Sequence, residues 1–187
     1  MSLRCQVAVL HPNEDDLLLN AFKSSGAIMI GGEEKDVLSR YAHALRLTQA
    51  DYIVRLTSDC PLMLDFVISK HIHTAAFYKH DYVSNVDESC RFIADGFDCE
   101  VLSRRALAWL NDNAVLEHDR EHVTTLLRAE KPKHLSMACV TMKIDTSHMK
   151  MSVDTAEDLE RIRAYYHERE KKIALAKSIY GMKLYDL

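Results

Sequence analysis

Glycine is scarce in this chain: five residues in 187, none before Gly26. A loop that cradles phosphate groups needs successive backbone N–H groups uncovered by side chains, which is glycine's usual task. The one adjacent pair, Gly31-Gly32, runs into Glu33-Glu34, whose charge would repel phosphate. The sequence therefore shows no phosphate cradle. Cysteine is sparse and odd in number (Cys5, Cys60, Cys90, Cys99 and Cys139), with no CxxC pair. That spacing argues against a zinc ribbon and a disulfide framework, and leaves reduced thiols as the expectation. Basic clusters are missing too. Lys and Arg number 24 against 28 Asp and Glu, interspersed, for a net charge of -4, which excludes a nucleic-acid footprint. No apolar run could span a bilayer, and the stretch within MSLRCQVAVLHPNEDD is too short for a signal peptide. A cytoplasmic protein with no membrane partner is expected. There is no internal repeat, low-complexity tract or linker.

What is present is ordinary in composition, 48% hydrophobic and 28% charged, and long enough for one domain with a sizeable core. Strand-like runs alternate with amphipathic patterns. The runs are Cys5–Leu10, Ala27–Ile30, Tyr52–Leu56 and Tyr82–Asn85. Between them, helices are expected from about Glu14, from Asp36 (Val37, Tyr41, Ala44, Leu45 and Thr48 on one stripe) and around Leu64, Ile68, Ile72 and Ala75. Such alternation predicts an α/β fold with a mostly parallel sheet. Later strands fit CEVLS, LSMACVTM and KMSV, with helices from Arg104, from about Asp119 and from about Ala156. The last helix repeats Leu159, Ile162, Tyr166, Ile173, Ala176 and Tyr180 at spacings of three and four. Packing on its own domain and a subunit contact both fit that stripe. The expected division is an α/β domain over residues 1–168 and a C-terminal helical extension over 169–187.

RLTSDCPLMLD, Arg55 to Asp65, places an acid, a cysteine and a proline where the third strand ends. Ligands of parallel sheets bind beyond the carboxyl ends of the strands. Pro61 stiffens that exit by fixing its own φ and biasing Cys60 away from helix. A carboxylate held there, Asp59, suits Mg²⁺, an ion bound by one or two carboxylates plus substrate phosphates. On this stretch alone the plainer reading is the stronger: Asp59 as a helix-capping or turn residue and Cys60 simply buried. A second acid changes the balance: in MSVDTAEDLERI, Asp154 sits at another strand-to-helix junction. Glu157 and Asp158 then read as helix-dipole partners. A decoy is HDREH, His118 to His122, which has the H-x-x-E-H form of a zinc-peptidase motif. Asp119 reads as the N-cap of REHVTTLLRAE, which would leave His118 outside the helix and break the zinc spacing. His71 and His73 stand two apart, so on a helix they point different ways.

The ordered segments GGEEKDVLSRYAHAL, RLTSDCPL, DYVSN, DGFDCEVLS, REHVT and SVDTAEDLE resemble the cytidylyltransferases that activate acidic sugars, over roughly Cys5 to Tyr166. The closest branch is the spore-coat polysaccharide biosynthesis type, related to CMP-acylneuraminate and CMP-octulosonate synthetases. The resemblance implies a Rossmann-like nucleotidyltransferase fold and transfer of CMP from CTP to a sugar acid, with loss of pyrophosphate, for surface polysaccharide. It assigns Asp59 and Asp154 to Mg²⁺ and Arg55 to phosphate or sugar carboxylate charge, a salt bridge being the plainer role for Arg55. Asn85, Asp95, Gly96, Asp98 and Glu100 fall along the sugar pocket, and Arg120 and His122 in a segment facing the same cleft. A turn at Gly96, and helix-start chemistry at Arg120 and His122, are the plainer alternatives. It also implies a homodimer, for which the helix after Glu170 offers a seam.

The sequence departs from the family in lacking its first strand and its phosphate-gripping loop of Arg, Gly, Ser and Lys. Ser58 stands where a glycine is usual before the metal-binding acid. Weak or absent CTP binding is therefore the expectation, and a noncatalytic sugar-binding or scaffold protein is the alternative reading.

Overall fold

The computed structural model describes residues 6–12 and 16–180. Its elements in chain order are β1 (Ala8–Pro12), α1 (Asp16–Phe22), β2 (Ile28–Gly32), α2 (Val37–Leu47), β3 (Tyr52–Arg55), α3 (Asp65–Tyr78) and β4 (Tyr82–Ser84). There follow β5 (Glu100–Ser103), α4 (Arg104–Asn113), α5 (Glu117–His122), α6 (Thr125–Glu130), β6 (Met137–Cys139) and α7 (Ala156–Tyr180). The expected α/β alternation is present. β1 and β2 pair in parallel, Ala8 opposite Ile28 through Pro12 opposite Gly32. The other four strands form a sheet in the order β3-β5-β4-β6. β4 and β6 run together, because Tyr82 N–H donates to Ser136 O before both strands and Val140 N–H donates to Ser84 O after them. β5 runs against its neighbours: Ser103 and Arg104, at its end, donate to Asp81 O and Asp51 O, just ahead of β4 and β3. The reversed strand brings the start of β5 to the finish of β3 and β4.

The chain divides into two compact units, with boundaries within β3, β4, β5 and β6 and one at the end of α3. The first comprises Met1–Ile53, Lys79–Tyr82 and Leu102–Met137. Its core joins Leu38, Tyr41 and Leu45 of α2 to Leu102, Ala106, Leu107 and Leu110, with Val123 and Leu127 behind them. Asp36 caps α2 by accepting from Ser39 N–H at 3.0 Å, and Arg104 closes the other end by donating to Leu45 O, Thr48 O and Ala50 O. A guanidinium there satisfies carbonyls that a helix C-terminus leaves open. Buried Asp81 gathers Ser103 Oγ, Ser136 N–H and the Arg105 guanidinium.

The second unit comprises Val54–Tyr78, Val83–Val101 and Ala138–Leu187. Val67, Ile93 and Cys99 form one small core, and Ala94, Met151 and Ile162 another.

The structure departs from the sequence reading at three places. KMSV forms no strand: a single parallel bridge joins Asp95 and Lys150, because its partner is an irregular loop that offers one residue's worth of ladder. α5 begins at Glu117 and so contains His118. Its N-cap is Leu116, with no side-chain cap bond; Asp119 is buried instead and accepts from Thr125 Oγ1 at 2.7 Å. Cys139 is disulfide-bonded, whereas Cys60 and Cys99 are free and buried, so the thiols are not all reduced. A lone bridge leaves no spacing pattern in a sequence.

Candidate functional site

β3 ends at Arg55, and the chain turns at Thr57–Cys60, where Cys60 N–H donates to Thr57 O at 3.2 Å. Asp59 occupies that turn, half-buried. The Cys60 thiol lies against Thr57 Oγ1 at 3.3 Å and against Asp59 Oδ1 at 3.8 Å. Burial is the main influence pushing the Cys60 thiol up from its ordinary value, so it acts as turn filling and not as a nucleophile. The acid, cysteine and proline together make a turn that holds one carboxylate at the strand's end.

The second acid lies alongside. Val153 N–H donates to Asp59 O at 2.8 Å, tying the residue before Asp154 to the Asp59 turn. Past Asp154 a capping box starts α7: Asp158 N–H donates to Thr155 Oγ1 and Thr155 N–H donates to Asp158 Oδ2, both at 3.2 Å. Asp158 also accepts from Asp154 N–H, which sets the backbone of the acid itself. Lys150 Nζ stands between Asp154 Oδ2 at 2.7 Å and Asp158 Oδ2 at 2.6 Å. Lys150 first, then Arg161, holds the Asp158 carboxyl well below its usual range. Asp158 therefore does more than complement the helix dipole.

A third segment, Asp95–Glu100, lies over the second. Asp95 N–H donates to Met149 O and Met151 N–H to Asp95 O, and Ser152 Oγ donates to Asp95 Oδ2 at 2.6 Å. Gly96 follows at φ +103°, where a Cβ would collide with the Met151 and Ser152 backbone; only glycine allows that approach. Asn85, fully buried at the end of β4, holds the loop from beneath. Its Nδ2 donates to Phe97 O at 2.8 Å and its Oδ1 accepts from Cys99 N–H at 2.9 Å. Arg91 bridges the loop acids, meeting Asp98 at 2.6 and 2.8 Å and Asp95 at 3.4 Å. Burial pushes the Asp98 carboxyl up despite Arg91, and it pushes the Cys99 thiol up to about 12.

Arg55 and Glu100 find each other. Arg55 Nη1 donates to Glu100 Oε2 at 2.6 Å, with the glutamate side chain 2% exposed. The plainer role thus has a partner, on a neighbouring strand. Arg120 and His122 belong to the first unit. Arg120 pairs with Asp36 at 2.9 Å and donates to Ala114 O, while the His122 ring lies against His118.

Eight of the expected residues thus stand in one unit: Arg55, Asp59, Asn85, Asp95, Gly96, Asp98, Glu100 and Asp154. Arg91, Lys150 and Ser152 escape the sequence reading although they orient Asp95, Asp98 and Asp154. Loop residues that pair across gaps of several positions carry no periodic signal. Among the described residues no three His, Cys, Asp or Glu side chains form a metal cage, so a cation here would need ligands beyond the two acids. Asp59 and Asp154 offer hard carboxylate oxygens of the type Mg²⁺ takes, and they fit it in chemistry. No helix among these residues is long and apolar enough to cross a membrane.

The cytidylyltransferase family profile matches residues 3–183. An uncharacterized Methanocaldococcus jannaschii protein is 31% identical over 150 residues, 75% of this chain and 60% of that protein. A Bacillus subtilis spore coat polysaccharide biosynthesis protein is 25% identical over 168 residues, 87% of this chain. The chain spans 60% and 66% of the lengths of these relatives. Among solved structures, a cytidylyltransferase from Leptospira borgpetersenii superposes with a TM-score of 0.78 at 24% identity, covering 96% of this chain and 81% of that one. CMP:2-keto-3-deoxy-manno-octonic acid synthetase complexed with CTP gives 0.61 at 12% identity, covering 87% and 82%. At those identities the likeness is one of fold.

Proposed function

The chain belongs to the cytidylyltransferase family, and from that premise we propose that it transfers CMP from CTP to a sugar acid, in the cytoplasm, for surface polysaccharide. The observation that carries the reading is the 2.8 Å bond from Val153 N–H to Asp59 O, which sets two carboxylate-bearing junctions side by side. Asp59 and Asp154 would hold Mg²⁺, which, when bound, lowers phosphate repulsion toward a nucleophile and steadies departing pyrophosphate. The sequence shows no cradle for the triphosphate, so CTP is expected to bind weakly; the chain's own groups supply the following roles. Lys150 and Asp158 orient Asp154 through its carboxylate and its backbone N–H. Asp95 and Asp98, aimed by Arg91, accept sugar hydroxyls. Gly96 and Asn85 keep that loop against Met151. One sugar hydroxyl oxygen bonds the α-phosphorus of CTP and gives up its proton to solvent, while the α–β phosphoanhydride bond breaks and pyrophosphate leaves.

Pyrophosphate release from CTP, with Mg²⁺ and a panel of sugar acids, tests this reading. Activity with at least one acid, falling by about 10²-fold or more in Asp59→Asn and in Asp154→Asn, is the expected result. Equal rates in parent and variants would remove the assignment. The protein is further read as a homodimer. Tyr165 and Tyr166 of α7 are exposed but precede the expected seam, and Ile173, Ala176 and Tyr180 of that seam lie outside the described side chains. Light scattering should show the mass of the full chain halved on truncation at Glu170, and an unchanged mass would count against the seam.

A further inference from the structure

We propose that His118 and His122 form a two-imidazole chelate for a borderline transition-metal ion, of the Ni²⁺ and Zn²⁺ type. This inference is independent of the Mg²⁺ reading at Asp59 and Asp154. Because α5 begins at Glu117, both histidines lie within the helix at i and i+4, the spacing that stacks side chains on one face. Their ring centroids are 4.5 Å apart, with planes at 61°, and both residues are exposed. Metal–nitrogen bonds of about 2.0–2.1 Å place each ring centre roughly 3.2 Å from the ion. Ligands at about 90°, as in octahedral or square-planar ions, then have centres about 4.5 Å apart, and tetrahedral ligands about 5.2 Å. The observed separation meets the first value, and a small ring rotation reaches the second.

The helical turn carrying the pair is held from both sides. Asp119 N–H and Arg120 N–H donate to Leu116 O, Arg120 is clamped by Asp36 and Ala114 O, and Thr125 Oγ1 anchors Asp119. After His122 the chain makes a γ-turn of the rarer, positive-φ kind. Val123 sits at φ 63° and ψ -57° and Thr124 N–H donates to His122 O at 2.7 Å. A fully buried β-branched residue in that conformation is strained, and the surrounding packing must enforce it. Such bracing lowers the ordering cost of binding.

Imidazole nitrogens suit zinc, nickel and copper, whereas Mg²⁺ and Ca²⁺ take oxygen. With no third protein ligand converging among the described residues, water or an external ligand completes the coordination, an open site by the usual distinction. No hydrolase is inferred from the H-x-x-E-H spelling.

The test is calorimetric titration of the full chain, carrying no histidine tag, with Ni²⁺ and with Zn²⁺ in a non-coordinating buffer. The parent should take one equivalent. His118→Ala and His122→Ala should each bind at least about tenfold more weakly, because the second imidazole acts at high effective concentration. His73→Ala, a control on α3, should match the parent. Circular dichroism checks that the variants fold, and the ion should raise the Tm of the parent more than that of either variant. Parent-like affinity in both α5 variants, or no uptake by the parent, overturns the proposal.

Discussion

Gly96 bears most directly on the site at the scale of single residues. It combines φ +103° with backbone atoms where a Cβ would be, so Gly96→Ala is expected to cost about 2 kcal/mol or more. Urea denaturation measures that cost, and a neutral effect would mean that the loop can move off Met151. Asn85→Ala removes the partner of the buried Cys99 N–H and of the half-buried Phe97 O, at about 1–3 kcal/mol for the buried amide and less for the carbonyl. His71 adds a dependence on pH. It is fully buried, with Nδ1 at 2.7 Å from Val67 O. Burial is the main influence lowering its value from 6.5, with a smaller push from Lys70, and it outweighs the upward pulls of the Val67 O hydrogen bond and, less, of Glu100. With the folded value depressed, the unfolded chain binds a proton that the native state refuses. Stability therefore falls as pH drops below about 6.5, by at most about 1.4 kcal/mol per unit. Comparison of parent and His71→Leu melts at pH 7.5 and 5.5 should show the smaller loss in the variant. Equal losses would exclude His71 as the source. Asp81 behaves differently: burial pushes it up, but Arg105, Ser136 and Ser103 outweigh that and leave it lowered from 3.8. Its contribution is present above that value and lost only as pH falls through the lower folded one.

At the scale of elements, the reversed β5 puts Glu100 beside the end of β3, and the resulting Arg55–Glu100 pair has little exposure. Arg55→Met or Glu100→Gln alone leaves a buried charge uncompensated, at about 3–5 kcal/mol, whereas the double variant should recover part of it. A double-mutant cycle by denaturation reads the coupling, and strict additivity would contradict it. The reversal was not legible in the sequence: EVLS reads as a strand whichever way it runs, since alternation carries no direction. Strand ends and helix starts were more legible. Asp59 stands just past the end of β3, as its junction in the sequence predicts, whereas Asp154 precedes α7 with no strand before it. The start of α5 was not legible for a physical reason. Asp119 has the chemistry of an N-cap, yet burial against Thr125 used its carboxylate, and the backbone carbonyl of Leu116 opened the helix instead. The KMSV run has strand-like residues, but its partner loop supports one bridge.

For the molecule as a whole, family and α/β fold were readable from ordered motifs because each motif sits at a junction that the fold needs. The ionic frame of the site was not. Arg91, Lys150 and Ser152 act through contacts across loops, and no spacing announces them. The matched relatives are longer than this chain, which spans 60% and 66% of them, so catalysis is a claim to be measured on the polypeptide as it stands. The proposed function rests on one divalent cation shared by Asp59 and Asp154. Electron paramagnetic resonance of Mn²⁺ titrated into the full chain with CTP present measures this directly. A bound ion is expected, with an affinity that drops at least about tenfold in Asp59→Asn and in Asp154→Asn and a double variant little worse than either, as for two ligands of one ion. Retention of parent affinity in both single variants would contradict it.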